Sequence, residues 1–146
     1  MSSTAFETRA KALLQVYKGT ALQERWAEAT SFGAAKQAKA FWIRDSEDVV
    51  NIVWLNEDGI RDITWLPDTN ESMFNFLRLK NIATFEIRES EGVTSSLRLG
   101  VEGHLVVHVV VPAQHGQIYW VANTENEVRE LQTFLKAVLG EYAHTP

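Results

Sequence analysis

The chain has 146 residues, 45% of them apolar and 23% charged, the length and mixture of one globular domain that needs no covalent staples. It contains no cysteine, which excludes disulfides, thiolate zinc sites, iron–sulfur ligation and thiol nucleophiles. Its formal net charge of −5 argues against general nucleic-acid binding, because that affinity comes from releasing counterions at a basic surface.

No apolar run approaches the ~20 residues that cross a bilayer as a helix; the longest, around Val106 and Val111, is interrupted by His108. The N-terminal residues lack the pattern of a secretory signal. Arg9, Lys11 and Lys18 suit a mitochondrial presequence and Glu7 does not, so the expected location is the cytoplasm.

Over residues 4–18 the apolar positions Phe6, Ala10, Leu13, Leu14 and Tyr17 recur at helical spacing, and Gly19-Thr20 interrupts them. The pattern resumes over 21–29 with Leu22 and Trp26 on one side and ends at Ser31-Phe32-Gly33. An amphipathic start of this kind is expected to pack on its own core. The period then changes. Residues 49–55 and 60–66 flank Asp58-Gly59, a favoured pair for a two-residue hairpin turn. That turn opposes Trp54 to Ile63 and Ile52 to Trp65, and gathers Val50, Ile52, Trp54, Ile63 and Trp65 on one face.

A polar turn at 67–70 leads to a strand over 73–79. A second follows over 82–89, with Ala83, Phe85 and Ile87 inward and Thr84, Glu86 and Arg88 outward. Glu91-Gly92 turns the chain into an alternating segment over 93–101, where Gly100 and Gly103 suggest a bend. Residues 104–111 are apolar at nearly every position, as in a strand covered on both faces. The loop 112–116 precedes a last strand over 117–122. Thr124 and Glu127 have capping-box spacing at the head of a helix whose stripe is Val128, Leu131, Phe134, Leu135, Val138 and Leu139, with Gly140 as its expected stop.

The order of hairpins followed by one capping helix resembles the pleckstrin-homology-like barrel, over about residues 40–139. The stretch Gln117-Ile-Tyr-Trp-Val-Ala-Asn-Thr-Glu-Asn-Glu-Val-Arg-Glu-Leu-Gln-Thr-Phe-Leu looks like that fold's final strand, short turn and aromatic-bearing helix, with Phe134 where many members carry tryptophan. Asn75-Phe-Leu-Arg-Leu-Lys-Asn-Ile82 looks like a middle strand entering a turn. The resemblance implies an α+β chain: an antiparallel barrel or sandwich of about seven strands, capped by a C-terminal helix and preceded by amphipathic helices. The corresponding division is 1–35 for the helical segment and 36–146 for the barrel. It also implies a binding scaffold. The family's lipid-binding members hold phosphoinositides with lysines and arginines around the first hairpin loop. The matching turn of this chain carries Glu57 and Asp58, with Asp45, Glu47 and Asp48 upstream, and acids repel phosphate. Lys36, Lys39 and Arg44 are the only basic cluster upstream of that turn.

Catalytic patterns are sparse. His104 and His108 fall on one face of an expected strand, yet ~13 Å apart at strand rise, too far to share an ion. His115 lies in the following loop with no carboxylate placed beside it. Ser95-Ser96 lacks a nucleophile elbow, there is no phosphate-binding glycine loop, and the acid pairs Asp45/Glu47 and Glu89/Glu91 lie near turns. No catalytic residue, cofactor or metal is assigned. Of five tryptophans, Trp54 and Trp65 belong to the hairpin core, while Trp26 and Trp42 serve either a partner surface or the junction between helices and barrel. The expected function is a non-catalytic module that binds a protein or peptide, with Trp26, Trp42, Lys36, Lys39 and Arg44 as candidate contacts. The alternatives are a lipid or small apolar-ligand binder and a flavin-binding split-barrel enzyme. Membrane binding is expected to be weak or absent, and a homo-oligomer remains open.

Overall fold

A computed structural model describes residues 3–89, 95–96, 101–102, 104–112 and 118–144. Helix α1 (Ser3–Val16) buries Phe6, Ala10, Leu13 and Leu14 along one stripe, with Tyr17 half-buried just beyond its end. Helix α2 (Ala21–Ala29) buries Leu22 and Ala29 and half-buries Trp26. A 3-10 stretch, Ser31–Gln37, follows; Phe32 and Gly33 there have φ of 61° and 73°, so helical geometry breaks where the sequence places the stop.

Four antiparallel strands, β1 (Ala40–Asp45), β2 (Val50–Asn56), β3 (Gly59–Leu66) and β4 (Glu71–Leu77), form one sheet in sequential order. A second antiparallel sheet has the order β5 (Thr84–Glu89), β8 (Leu105–Val110), β9 (Ile118–Ala122). Between them in sequence, β6 (Ser95–Ser96) and β7 (Val101–Glu102) pair with each other and, among the described residues, with no other strand, so the ends of the alternating segment expected over 93–101 lie on two paired strands. The expected turn at Glu91-Gly92 and the bend at Gly100 and Gly103 lie outside the described residues. Helix α3 (Glu125–Ala143) closes the chain. The described architecture is therefore α+β, with a four-stranded and a three-stranded antiparallel sheet, N-terminal helices and a C-terminal helix.

The first sheet is covered on both sides. Strand alternation sends Phe41, Ile43, Val50, Ile52, Trp54, Ile63 and Trp65 beneath α1 and α2, where they form one core with Phe6, Leu13, Leu14 and Leu22. The opposite face presents Trp42, Val53, Leu55, Ile60 and Leu77 to the second sheet and α3, in a second core with Val107, Trp120, Leu131, Phe134 and Val138. Every residue of β2 is consequently buried. In the second sheet Val106 is fully buried on the face away from that core while His108 and Val110 beside it are half-buried, so the covered face expected over 104–111 holds only in part.

Three expectations need correction. The hairpin turn is Glu57-Asp58, closed by Asn56 opposite Gly59, so Ile52 faces Ile63 and Trp54 faces Arg61. Gly59 is required on the strand because a Cβ there would lie 2.3 Å from the Leu77 carbonyl oxygen, and its φ is +149°. The register differs by two from the expected one, and an even shift leaves each side chain on its face. Ala83, just before β5, and Ile87 within it are exposed, while Phe85 and Arg88 are partly buried, so the expected inward and outward sets of this strand do not hold. Gly140 does not end α3. Tyr142 holds the last turn, donating to the Ile82 and Ala83 carbonyls at 2.8 and 3.1 Å and meeting Phe85 edge-on.

Candidate functional site

The residues singled out as contacts do not assemble into one surface. Trp42 is fully buried between the sheets and offers nothing to a partner. Trp26 fills the junction between helices and sheet, its ring centroid 5.8 Å from that of Phe6 and 5.6 Å from that of Trp54. Arg44 is buried on the inner face of β1, with Nε 3.3 Å from the Glu127 carboxylate. That approach is off-line for a hydrogen bond, so the contact is one of charge only. Lys39 pairs with Glu141 at 3.4 Å, and Lys36 is exposed on the 3-10 stretch. Arg44 and Lys39 are thus committed to α3.

The histidines also separate. His108 Nδ1 lies 2.8 Å from Glu86, and its ring stacks on Tyr119 at 4.5 Å. His104 precedes β8 and lines a cleft beside α3; His115 is outside the described residues. Among the described residues no three His, Asp or Glu side chains group as metal ligands. Asp45, one of the early acids, accepts the Tyr17 hydroxyl at 2.7 Å; that bond, then burial, then the Asp45 charge raise the tyrosine's pKa.

Two clefts flank α3 and share Arg129. One, of about 400 Å³, lies against α1 and is lined by Arg9, Phe41, Asn126, Glu130 and Thr133. The other, of about 420 Å³, is lined by Glu89, His104, Glu125, Val128 and Gln132. Their walls largely satisfy one another: Arg9 pairs with Glu130 at 2.6 Å and lies over the Phe41 ring, and Gln132 donates to Glu89 at 3.1 Å. An anion drawn to Arg129 would also meet Glu125 and Glu130, so neither cleft is electrostatically built for one ligand sign.

The sheet edges differ more sharply. A free strand edge carries unpaired N–H and C=O groups, and proteins blunt such edges with charge, proline, bulges or cover. Helix α3 packs along β1, and Arg44–Glu127 and Lys39–Glu141 bridge the two. Strand β5 carries Glu86, Arg88 and Glu89 among six residues. Strand β9 is short and runs directly into α3, which packs on it. Helix α2 packs on β4 as well, and its Arg25 donates to the Ser72 hydroxyl at 2.9 Å and to the Ser72 carbonyl at 3.5 Å; past Ser72 the strand has no charge or proline of its own. It pairs only with β3 among the described residues. Glu71 is its one charge, and Met73 and Phe76 are 54% and 37% exposed on opposite faces. The sequence shows this strand but not that it ends a sheet.

Behind that edge lies a group not singled out from the sequence. Across the inner face, Trp42, Val53, Asp62 and Asn75 stand in one lateral row over the four strands. Asp62 is 2% exposed; its carboxylate accepts from Asn75 Nδ2 at 3.2 Å and, across the core, from Trp120 Nε1 at 3.3 Å. Burial pushes its pKa up to about 6, and those two donors only partly counter it. A charge inside the apolar pattern of Ile60, Ile63 and Trp65 was the available signal. Comparisons with protein-family descriptions, curated proteins and solved structures find no match to this chain.

Proposed function

We propose that this protein is a non-catalytic binding module on a pleckstrin-homology-like scaffold, and that it recruits a protein or peptide by strand addition at β4. The scaffold reading is supported by the four-plus-three antiparallel strands and the helix that follows the last of them. The binding reading is carried by one observation: β4 is a seven-residue edge with a single charge and exposed apolar side chains on both faces. In strand addition the main chain supplies affinity, and alternate side chains supply specificity. Met73 would meet one face of the added strand, with Phe74 and Phe76 on the other.

The test is selection of peptides from a random display library on the intact protein, followed by mapping of each binder through amide shift changes. We expect extended peptides that perturb Met73–Leu77 and the adjoining β3 amides. Binders that perturb only the α3 clefts, or anionic vesicles that bind through Lys36 and Lys39, would overturn the assignment.

A further inference from the structure

We propose that the peptide segment added at β4 carries an acidic side chain two residues before its first apolar position, and that Arg78 holds it. This inference rests on the reading of β4 as an open edge and names the chemistry of its occupant.

Pairing is confined to the later part of the strand. Arg25 of α2 holds the Ser72 hydroxyl and carbonyl, so an added strand starts its contacts at Met73. At the other end the backbone stays extended through Arg78, with φ −73° and ψ 131°, before the 3-10 turn Leu79–Asn81. Strand alternation puts Phe74, Phe76 and Arg78 on the outer face and Met73, Asn75 and Leu77 on the inner one.

Charge divides the two ends of this edge. Asp68 and Glu71 stand at its start, and Arg25 there is already paired with Glu28 at 3.0 Å. At its finish a cleft of about 260 Å³ is lined by Glu57, Asp58, Arg78, Leu79 and Lys80. Arg61 occupies the Asp58 carboxylate with two bonds, at 3.0 and 3.3 Å, while its guanidinium lies 4.6 Å from the Phe76 ring centroid. Glu57 is then the one acid left beside Arg78 and Lys80. Both cations are exposed and, among the described residues, neither makes an ion pair or a side-chain hydrogen bond. The finish of the edge therefore favours an anionic group, and its start disfavours one.

Direction and register follow. Every described strand pair is antiparallel, and opposite charges on directly opposed residues stabilise such a pair. With the acid opposite Arg78, the second residue after it meets Phe76, the fourth meets Phe74 and the fifth meets Met73. The order from the N-terminal end is acid, any, apolar, any, apolar, apolar. The position opposite Asn75 stays open, because the Asn75 amide is already given to Asp62.

Selection from a random peptide display library, on the intact protein and on Arg78→Glu, tests the proposal, with each binder mapped by amide shifts. We expect binders that map to β4 of the intact protein to carry aspartate or glutamate two residues before the first apolar one, and those of Arg78→Glu to carry lysine or arginine. Replacing the acid of a selected peptide by lysine is expected to raise its Kd about three- to tenfold, and Arg78→Glu to reverse that preference. Binders that map to β4 with no charge preference overturn this inference and leave strand addition standing. A selection in which no binder reaches β4 removes the open-edge reading as well. Shifts at β4 that follow protein concentration without peptide would make a second copy the occupant, and shifts at Arg78 and Lys80 caused by phosphatidylserine vesicles and by no peptide would assign those cations to a membrane; either overturns the proposal. Arg78→Gln, expected to abolish the preference, gives the same comparison if Arg78→Glu folds poorly.

Discussion

Asp62 shows what one side chain costs and what it reports. Its carboxylate has two neutral donors at 3.2 and 3.3 Å, longer than the 2.7–2.9 Å typical of charge-assisted bonds, and no cation contributes to its pKa. The nearest charged side chain on the inner face, Arg44, stands in the next lateral row and is occupied by Glu127. Because the folded-state pKa lies above the unfolded one, stability from Asp62 is fully present below about pH 4. It is lost as pH rises through about 6, a change of roughly 3 kcal/mol. Denaturant titrations between about pH 4 and 6 are expected to show the Asp62 contribution falling with pH, and Asp62→Asn is expected to remove that part of the slope whatever its effect on the mean. A slope equally steep in the variant would assign it to another group. Trp26 takes the second of its two expected places, the junction between helices and sheet, whereas Trp42 lies between the two sheets: composition says that tryptophans are many, but only packing says which core each one enters.

At the scale of elements, α3 is where the sequence was most legible. Thr124 accepts from the Glu127 amide at 3.1 Å, and Glu127 accepts from the Asn123 and Thr124 amides at 2.9 and 3.4 Å, as the Thr-x-x-Glu spacing requires. The same carboxylate also faces Arg44, a second role that spacing along the helix does not reveal. The two roles separate by substitution. Thr124→Ala is expected to cost about 1 kcal/mol through the cap alone. Glu127→Gln keeps an acceptor for the cap but leaves the Arg44 charge buried and unpaired, and is expected to cost about 3 kcal/mol. Chemical denaturation of both variants checks the order; equal losses would mean that the ion pair adds nothing. The hairpin shows the opposite limit. Asp58-Gly59 marks the turn region correctly, but the close approach of the Leu77 carbonyl to Gly59 depends on β4, which hairpin chemistry alone does not contain.

For the whole molecule, the decisive feature is a sheet buried on both faces. Phe6 is completely buried, with its ring centroid 5.1 Å from that of Phe41 and 5.0 Å from that of Trp54, so α1 is part of the core and not an appendage. A fragment of residues 36–146 would expose Phe41, Ile43, Ile52, Trp54, Ile63 and Trp65 together, a patch larger than soluble monomers tolerate. We expect that fragment to aggregate or to bind a hydrophobic dye without cooperative unfolding. A soluble fragment with a sharp thermal transition and native near-ultraviolet dichroism would show instead that 36–146 is a domain in its own right.

Local periodicity, caps and turn residues by themselves determined the helices, most strands, the apolar face of the first hairpin and the absence of thiol chemistry. These depend on neighbours a few positions away, and such neighbours are written in order along the chain. Tertiary structure alone decided which strand ends a sheet, which tryptophan is buried, that Asp62 lies between two sheets, and that Tyr142 carries α3 past Gly140. Each of those depends on groups tens of residues apart, whose meeting is fixed by how covered faces stack and not by any pattern within one segment.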